Sequence, residues 1–405
     1  MKKPANYGWI VVLGAFLALL IASLRSYSFG IFIDPLTADF GWPRAPLTLV
    51  LSISFLVTSF LGIVSGTLSD RYGVRKVMTV GSVLVITGFA LSSQITSLVQ
   101  LYLTFILIGI GASAFYIPVT TTVTRWFSEK RGLAVGITVS ALGIGMAFFP
   151  PILERSISRF GWRNTFLIAG LISMILLSIS ILLMKRPPED ETDDVGGISS
   201  DSEDDSSSDF TLKQALKTKY FWLIYFMFMM AQFSAMTITV HIVPYSTEIG
   251  VSSFYAATLL TVIGISNICG RLLGGVTADR IGVIKGTSIF FAFQGMMILF
   301  LPFSEGLWMM YSISILFGLS YGGWVMIYPV IVSYLYGDKN SGAILGALGT
   351  VAGIGGALGP YIAGYIFDVT GAYDSAFLLS GAMMFLSLFL SLLFIKFYSD
   401  KGVGI

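Results

Sequence analysis

The sequence predicts an all-α membrane protein in which twelve transmembrane helices form two six-helix bundles, a 6+6 pseudo-twofold repeat. Three observations predict it: apolar composition, recurring apolar runs of bilayer length, and a match of one half onto the other. Of the 405 residues, 55% are hydrophobic and 11% charged, with a mean hydropathy of +0.84. Soluble domains carry roughly 25% charged residues, so composition excludes a water-soluble fold.

A helix needs about 20 apolar residues to cross some 30 Å of hydrocarbon. Runs of that kind are expected over 8-33, 44-68, 77-95, 98-124, 133-156, 164-184, 219-245, 254-277, 287-304, 307-334, 342-367 and 375-398. The first follows Met1-Lys2-Lys3 but is too long for a signal peptide and lacks a small-residue cleavage site, so it counts as a span.

Eighteen of the 24 lysines and arginines, from Lys2 and Lys3 through Lys396 and Lys401, fall on the face shared by the termini. Arg44, Arg155, Arg159 and Arg163 lie opposite. The positive-inside rule then puts both termini in the cytoplasm, as in a plasma membrane or bacterial inner membrane. Pro187 to Asp209 holds ten acids and no base, with little to build a core. The expected organisation is a bundle over 1-186, an acidic cytoplasmic linker over 187-218, disordered across its acidic stretch, and a second bundle over 219-405.

The internal match sits at a shift of 209. Gly66, Asp70, Arg71, Gly73 and Lys76 find identical partners at Gly275, Asp279, Arg280, Gly282 and Lys285. Gly143-Ile-Gly145 to Pro150 pairs with Gly353-Ile-Gly355 to Pro360 at a shift of 210. Glycines at such positions let helices approach closely, and prolines loosen the backbone where helices bend.

One cysteine, Cys269, and one histidine, His241, leave no Cys/His metal cluster, and no phosphate-binding loop is present. No cofactor, metal or nucleic-acid partner is expected, and an enzyme or non-transporting receptor is the weakest reading.

Gly66-x-Leu-x-Asp70-Arg71-x-Gly73-x-Arg75-Lys76 resembles the loop signature of the major facilitator superfamily. The resemblance covers essentially the whole chain and implies two bundles around a central site with alternating access. Asp70, Arg71, Asp279, Arg280 and Arg131 then become gating-loop residues. Arg125 through Gly143 resembles the fifth-span signature of the monocarboxylate porters, the branch that includes the oxalate/formate exchangers. Asn6-Tyr7-Gly8-Trp9 is similar to that branch's other signature. The Gly-x-x-x-Gly-Pro element of drug exporters is missing from the fifth span, where Gly145 to Pro150 stands.

Away from span ends, the ionisable side chains are Arg25, His241 and Arg271. An arginine at mid-membrane costs at least about 2.5–3.5 kcal/mol on insertion scales, so it faces water or a partner. No carboxylate is expected at that depth, so the partner is an anionic substrate, whose carboxylate fits the guanidinium fork with two hydrogen bonds, or else backbone carbonyls and hydroxyls. Arg271 lies eight residues before Asp279 and Tyr116 nine before Arg125, so both sit at similar height.

The resemblance implies Arg271 as the anion clamp and Tyr116 as a hydroxyl donor. Tyr321 and Trp324 either close over a short aliphatic chain or serve as packing, with Leu142 a candidate for the apolar wall. Proton-coupled relatives resemble Asp-x-x-x-Arg in the eighth span, but this sequence reads Asn267-Ile-Cys-Gly-Arg271. Asn267 occupies the right face and cannot titrate. His241 then stands as a proton acceptor or outer gate, with a structural histidine as the alternative. Arg25 either attracts anions into the vestibule or snorkels to the surface. The oxalate exchangers' second-carboxylate lysine has no counterpart in 342-367, which favours a monoanion.

The expected function is a monomeric carrier for a short monocarboxylate of the lactate or pyruvate type, by proton symport. The alternative is an exchanger of formate- or oxalate-like anions.

Overall fold

The computed structural model describes residues 5–127, 130–185, 210–304, 306–336 and 341–399. Among them, eleven helices are long and apolar enough to cross a bilayer, and the longest counts twice. That helix, α7 (Arg131–Leu183), turns at Gly161, where φ is 77° and ψ 164°. Glycine alone adopts such a backbone without strain, so 131–160 and 162–183 are separate spans and the total is twelve. Helix is the form that satisfies the backbone within each spanning segment.

The first half holds α1 (Ala5–Ser28), α2 (Gly30–Phe40), α3 (Arg44–Tyr72), α4 (Val74–Ser92), α5 (Leu98–Ala112), α6 (Tyr116–Trp126) and α7. The second holds the one-turn α8 (Leu212–Ala215), then α9 (Lys219–Glu248), α10 (Ser253–Ile281) and α11 (Val283–Phe300). It ends with α12 (Leu307–Tyr336), α13 (Ser341–Thr370) and α14 (Asp374–Ser399).

Two expected spans prove to be broken. The first divides at Phe29 into α1 and α2, and the fourth breaks at 113–115 into α5 and α6. Pro118 explains the second break, because its ring opposes the carbonyl four residues earlier and it donates no N–H. Tyr116 thereby opens a new helix.

The third and ninth spans begin three to four residues before their expected starts. Gly73 (φ 94°) and Gly282 (φ 93°) each turn the chain in a single residue between helices. Asp70, Arg71, Asp279 and Arg280 therefore ride on the last turns of α3 and α10. The acidic stretch 186–209 lies outside the described residues. The linker's remainder to 218 carries local structure: Thr211 and Gln214 form a capping box on α8, and the Phe210 N–H donates to the Tyr336 carbonyl.

Within halves, α1 packs along α7, and α10 along α12; between halves, α3 lies on α13 and α7 on α10. The repeat is spatial as well as sequential. Gly143 meets Ile268 and the Gly264 carbonyl across one seam, while Gly353 meets Ser59 across the other. Gly145 and Gly355 each face the first long helix of their own half, at Ser23 and Met229.

Candidate functional site

Arg271 is half-buried on α10. Its Nε donates to Asn267 Oδ1 at 3.1 Å, one helical turn back, and Nη1 makes a long contact of 3.5 Å to the Val139 carbonyl on α7. The described residues offer it no carboxylate. An arginine with one amide and one distant carbonyl retains donors for an anion. Because Val139 belongs to the other half, the guanidinium spans the seam.

Close backbone contact positions its neighbours. Gly270 and Gly274 of α10 press on the Leu319 and Gly323 carbonyls of α12, and Gly322 presses back on Asn267. This brings Tyr321, which is 5% exposed, within electrostatic reach of Arg271. The Tyr321 hydroxyl interacts with the side chains of Tyr27 on α1 and Gln232 on α9. Tyr116 is half exposed at the start of α6, and it too lies within electrostatic reach of Arg271 and Tyr27. Asn267 is thus hydrogen-bonded to Arg271, Tyr116 and Tyr321 lie within its electrostatic reach, and Leu142 is half-buried one residue before the seam glycine Gly143.

Trp324 sits differently from its expected place over a substrate. It is 4% exposed, its Nε1 donates to Gln294 Oε1 at 2.6 Å, and its ring packs on Phe228 and Phe291. With ring centroids 5.4 Å apart, it supports Tyr321 from the core side.

His241 is fully buried. Nε2 is 2.8 Å from the Pro360 carbonyl and Nδ1 3.0 Å from the Tyr373 hydroxyl. A carbonyl only accepts, so Nε2 carries a hydrogen, and with Nδ1 on the tyrosine hydroxyl both nitrogens are engaged. Two engaged nitrogens in a fully buried ring are what the structural alternative expects.

Arg25 does not snorkel. It is 6% exposed, with Nη1 donating to Ser54 Oγ at 3.1 Å, Nη2 to Ser26 Oγ at 3.4 Å, and its guanidinium carbon 4.8 Å from the Phe55 ring centroid.

At the loops, Arg125 of α6 pairs with Asp70 at 2.7 Å, and Arg71 lies 5.3 Å over Tyr72. Asp279 and Arg280 are exposed. Tyr334 stands 209 positions on from Arg125, so the second loop lacks the arginine that pairs with the first. The Arg131 side chain lies outside the described residues.

The opposite face holds a cluster that sequence reasoning passed over. Arg44 reaches Asp34 at 3.4 Å and, across the halves, Glu248 at 3.5 Å. Its guanidinium lies 3.7 Å from the Phe367 ring and 5.0 Å from the Tyr373 ring. Asp368 accepts from the backbone N–H groups of Arg44 and Ala45. Tyr27 and Gln232 were also passed over, although both interrupt apolar runs.

Twelve spans, a repeat related by close glycine contacts and a mid-membrane arginine cluster define a polytopic solute carrier. The match to the Major Facilitator Superfamily model covers residues 15–360, and the chain belongs to that family. Among the proteins it is similar to are monocarboxylate transporters. It is 29% identical to monocarboxylate transporter 12 of Xenopus laevis, over 96% of this chain and 90% of that one. Identity is also 29% with monocarboxylate transporter 13 of Bos taurus, over 94% and 87%. A solved bacterial homolog of the human lysosomal transporter Spinster, in an inward-facing and unoccupied conformation, matches with a TM-score of 0.75. That likeness, at 16% identity and covering 98% of this chain and 97% of that one, shows the fold.

Proposed function

We propose that the chain carries a short monocarboxylate of the lactate or pyruvate type across a plasma membrane, by proton symport and alternating access. The observation that carries this reading is Arg271: a guanidinium at the seam of the halves, with no carboxylate partner among the described residues, backed by Asn267 and within electrostatic reach of Tyr116 and Tyr321. A carboxylate supplies the missing charge and accepts two parallel hydrogen bonds from the fork. The tyrosine rings offer an apolar body beside a polar tip, which suits a small acid with a short chain. The names of the relatives agree with this substrate class.

In this reading the protein works as a monomer, with one bundle over 1-186, a second over 219-405 and both termini in the cytoplasm. The Asp70 and Asp279 loops gate the cytoplasmic side, and the Arg44 cluster gates the outer side.

Two observations favour a second reading, exchange of formate- or oxalate-like anions. The position one turn before Arg271 holds an amide, and both nitrogens of His241 are engaged. Uptake of labelled lactate, pyruvate, formate and oxalate into proteoliposomes separates the two. Symport predicts lactate or pyruvate accumulation that rises with an inward proton gradient and falls with an uncoupler. Counterflow indifferent to the uncoupler establishes exchange and defeats the symport reading.

A further inference from the structure

Glu154, near the end of the first arm of α7, is 5% exposed. Its Oε1 accepts from Ser158 Oγ at 3.2 Å, and its carboxyl also meets the side chain of Ser253, the first residue of α10 in the other half. No cation lies within ion-pair distance of it among the described residues.

The charges around it are otherwise engaged. Asp34 of α2 is its electrostatic neighbour, but Asp34 pairs with Arg44 and accepts from Thr247 Oγ1 at 2.8 Å. Glu248 of α9 also pairs with Arg44. Arg155, adjacent in sequence, lies over the Phe254 ring at 5.8 Å.

The repeat explains why this seam differs from its mate. In the α13–α3 seam, Asp368 accepts from the Arg44 and Ala45 N–H groups while Gly364 packs on Ala45. At the same shifts of 209 and 210, Arg44 corresponds to Ser253, Asp368 to Ser158 and Gly364 to Glu154. Both seams bring a carboxyl to the first turn of the other half's helix. Asp368 receives two backbone hydrogen bonds there, whereas Glu154 has hydroxyls alone.

We propose that Glu154 is a proton-binding site that governs closure of the Arg44 face, sealing only when the carboxyl carries a proton. With the seam open, water solvates the carboxylate. Closure strips that water and supplies no cation, which penalises an ion and not a neutral acid. The proton comes from water on the Arg44 side, bonds to a Glu154 carboxyl oxygen, and returns to that water on reopening. By linkage, protons on that side favour the sealed form. The proposal rests on the carrier fold and is independent of which anion is carried.

The test uses the full chain in proteoliposomes, with Cys269→Ser and spin labels at Ala38→Cys and Ile249→Cys. Both positions are exposed on the Arg44 face, one in each half. The expected result is a long-distance population at pH 8 at least threefold that at pH 5. Glu154→Gln holds the short distance at both pH values, and Glu154→Asp keeps the pH response. Distances independent of pH with Glu154 intact overturn the proposal, as does a pH response that survives in Glu154→Gln. The readout contains no transported anion, so failure of the monocarboxylate reading leaves it standing.

Discussion

Asp368 caps the helix that begins at Arg44, although the two residues belong to different halves. Its oxygens accept from the Arg44 N–H at 2.8 Å and the Ala45 N–H at 2.7 Å. The carboxylate meets the positive end of the α3 dipole. Closure of this face thus supplies a cap that α3 lacks locally, since Pro43 gives no side-chain cap.

Asp368→Ala removes that cap from the closed state. A lost cap costs about 1 kcal/mol, which shifts the closed-to-open ratio about fivefold. Maleimide labelling of Thr48→Cys, buried in this seam, in a Cys269→Ser background at fixed pH measures it. The expected result is a several-fold faster reaction than in the same background with Asp368.

Gly322→Ala disturbs the substrate cluster through the backbone. The added carbon lands 2.8 Å from the Asn267 carbonyl carbon and 3.0 Å from the Arg271 nitrogen, where nothing flexible can yield. Overpacking of this kind costs about 1–3 kcal/mol. Thermal unfolding in detergent is expected to show a clear loss. Gly346→Ala, whose new carbon meets nothing within 4 Å, is expected to be neutral or stabilising.

His241→Phe leaves the Pro360 carbonyl and Tyr373 hydroxyl without their partner. Unpaired buried groups cost about 1–3 kcal/mol each, so the variant should melt earlier. Its transport profile between pH 5 and 8 should keep the wild-type shape. A flattened profile would restore His241 as the titrating group.

Trp324→Phe removes the donor to Gln294 Oε1, in a side chain whose Nε2 already has no partner. The expected loss is about 1–3 kcal/mol. Adding Gln294→Leu should recover part of it, and a double-mutant cycle read by thermal unfolding measures the coupling.

The spans, the repeat and the seam glycines were legible because each follows from a local rule: run length, identity at a fixed shift, and absence of a side chain. The breaks at Phe29 and 113–115 were not, because apolar runs carry no signal for where a helix restarts. The turn at Gly161 was legible only as a gap between runs. At the site, Arg271 and Asn267 were legible from one helical turn of spacing. Tyr27 and Gln232 reach Tyr321 from α1 and α9, across contacts between residues far apart in the chain. Glu154 and Arg44 read as span-end charges until the structure carried them across the seams, and pairing between halves has no local trace.

Uptake of labelled lactate and pyruvate into proteoliposomes by wild-type protein and Arg271→Lys, at matched reconstitution, tests the anion clamp most directly. Lysine keeps the charge and loses the planar fork. Predicted is carboxylate uptake by the wild type and at least a tenfold loss in the lysine variant, about 1.4 kcal/mol or more. Wild-type uptake retained in Arg271→Lys would contradict the assignment.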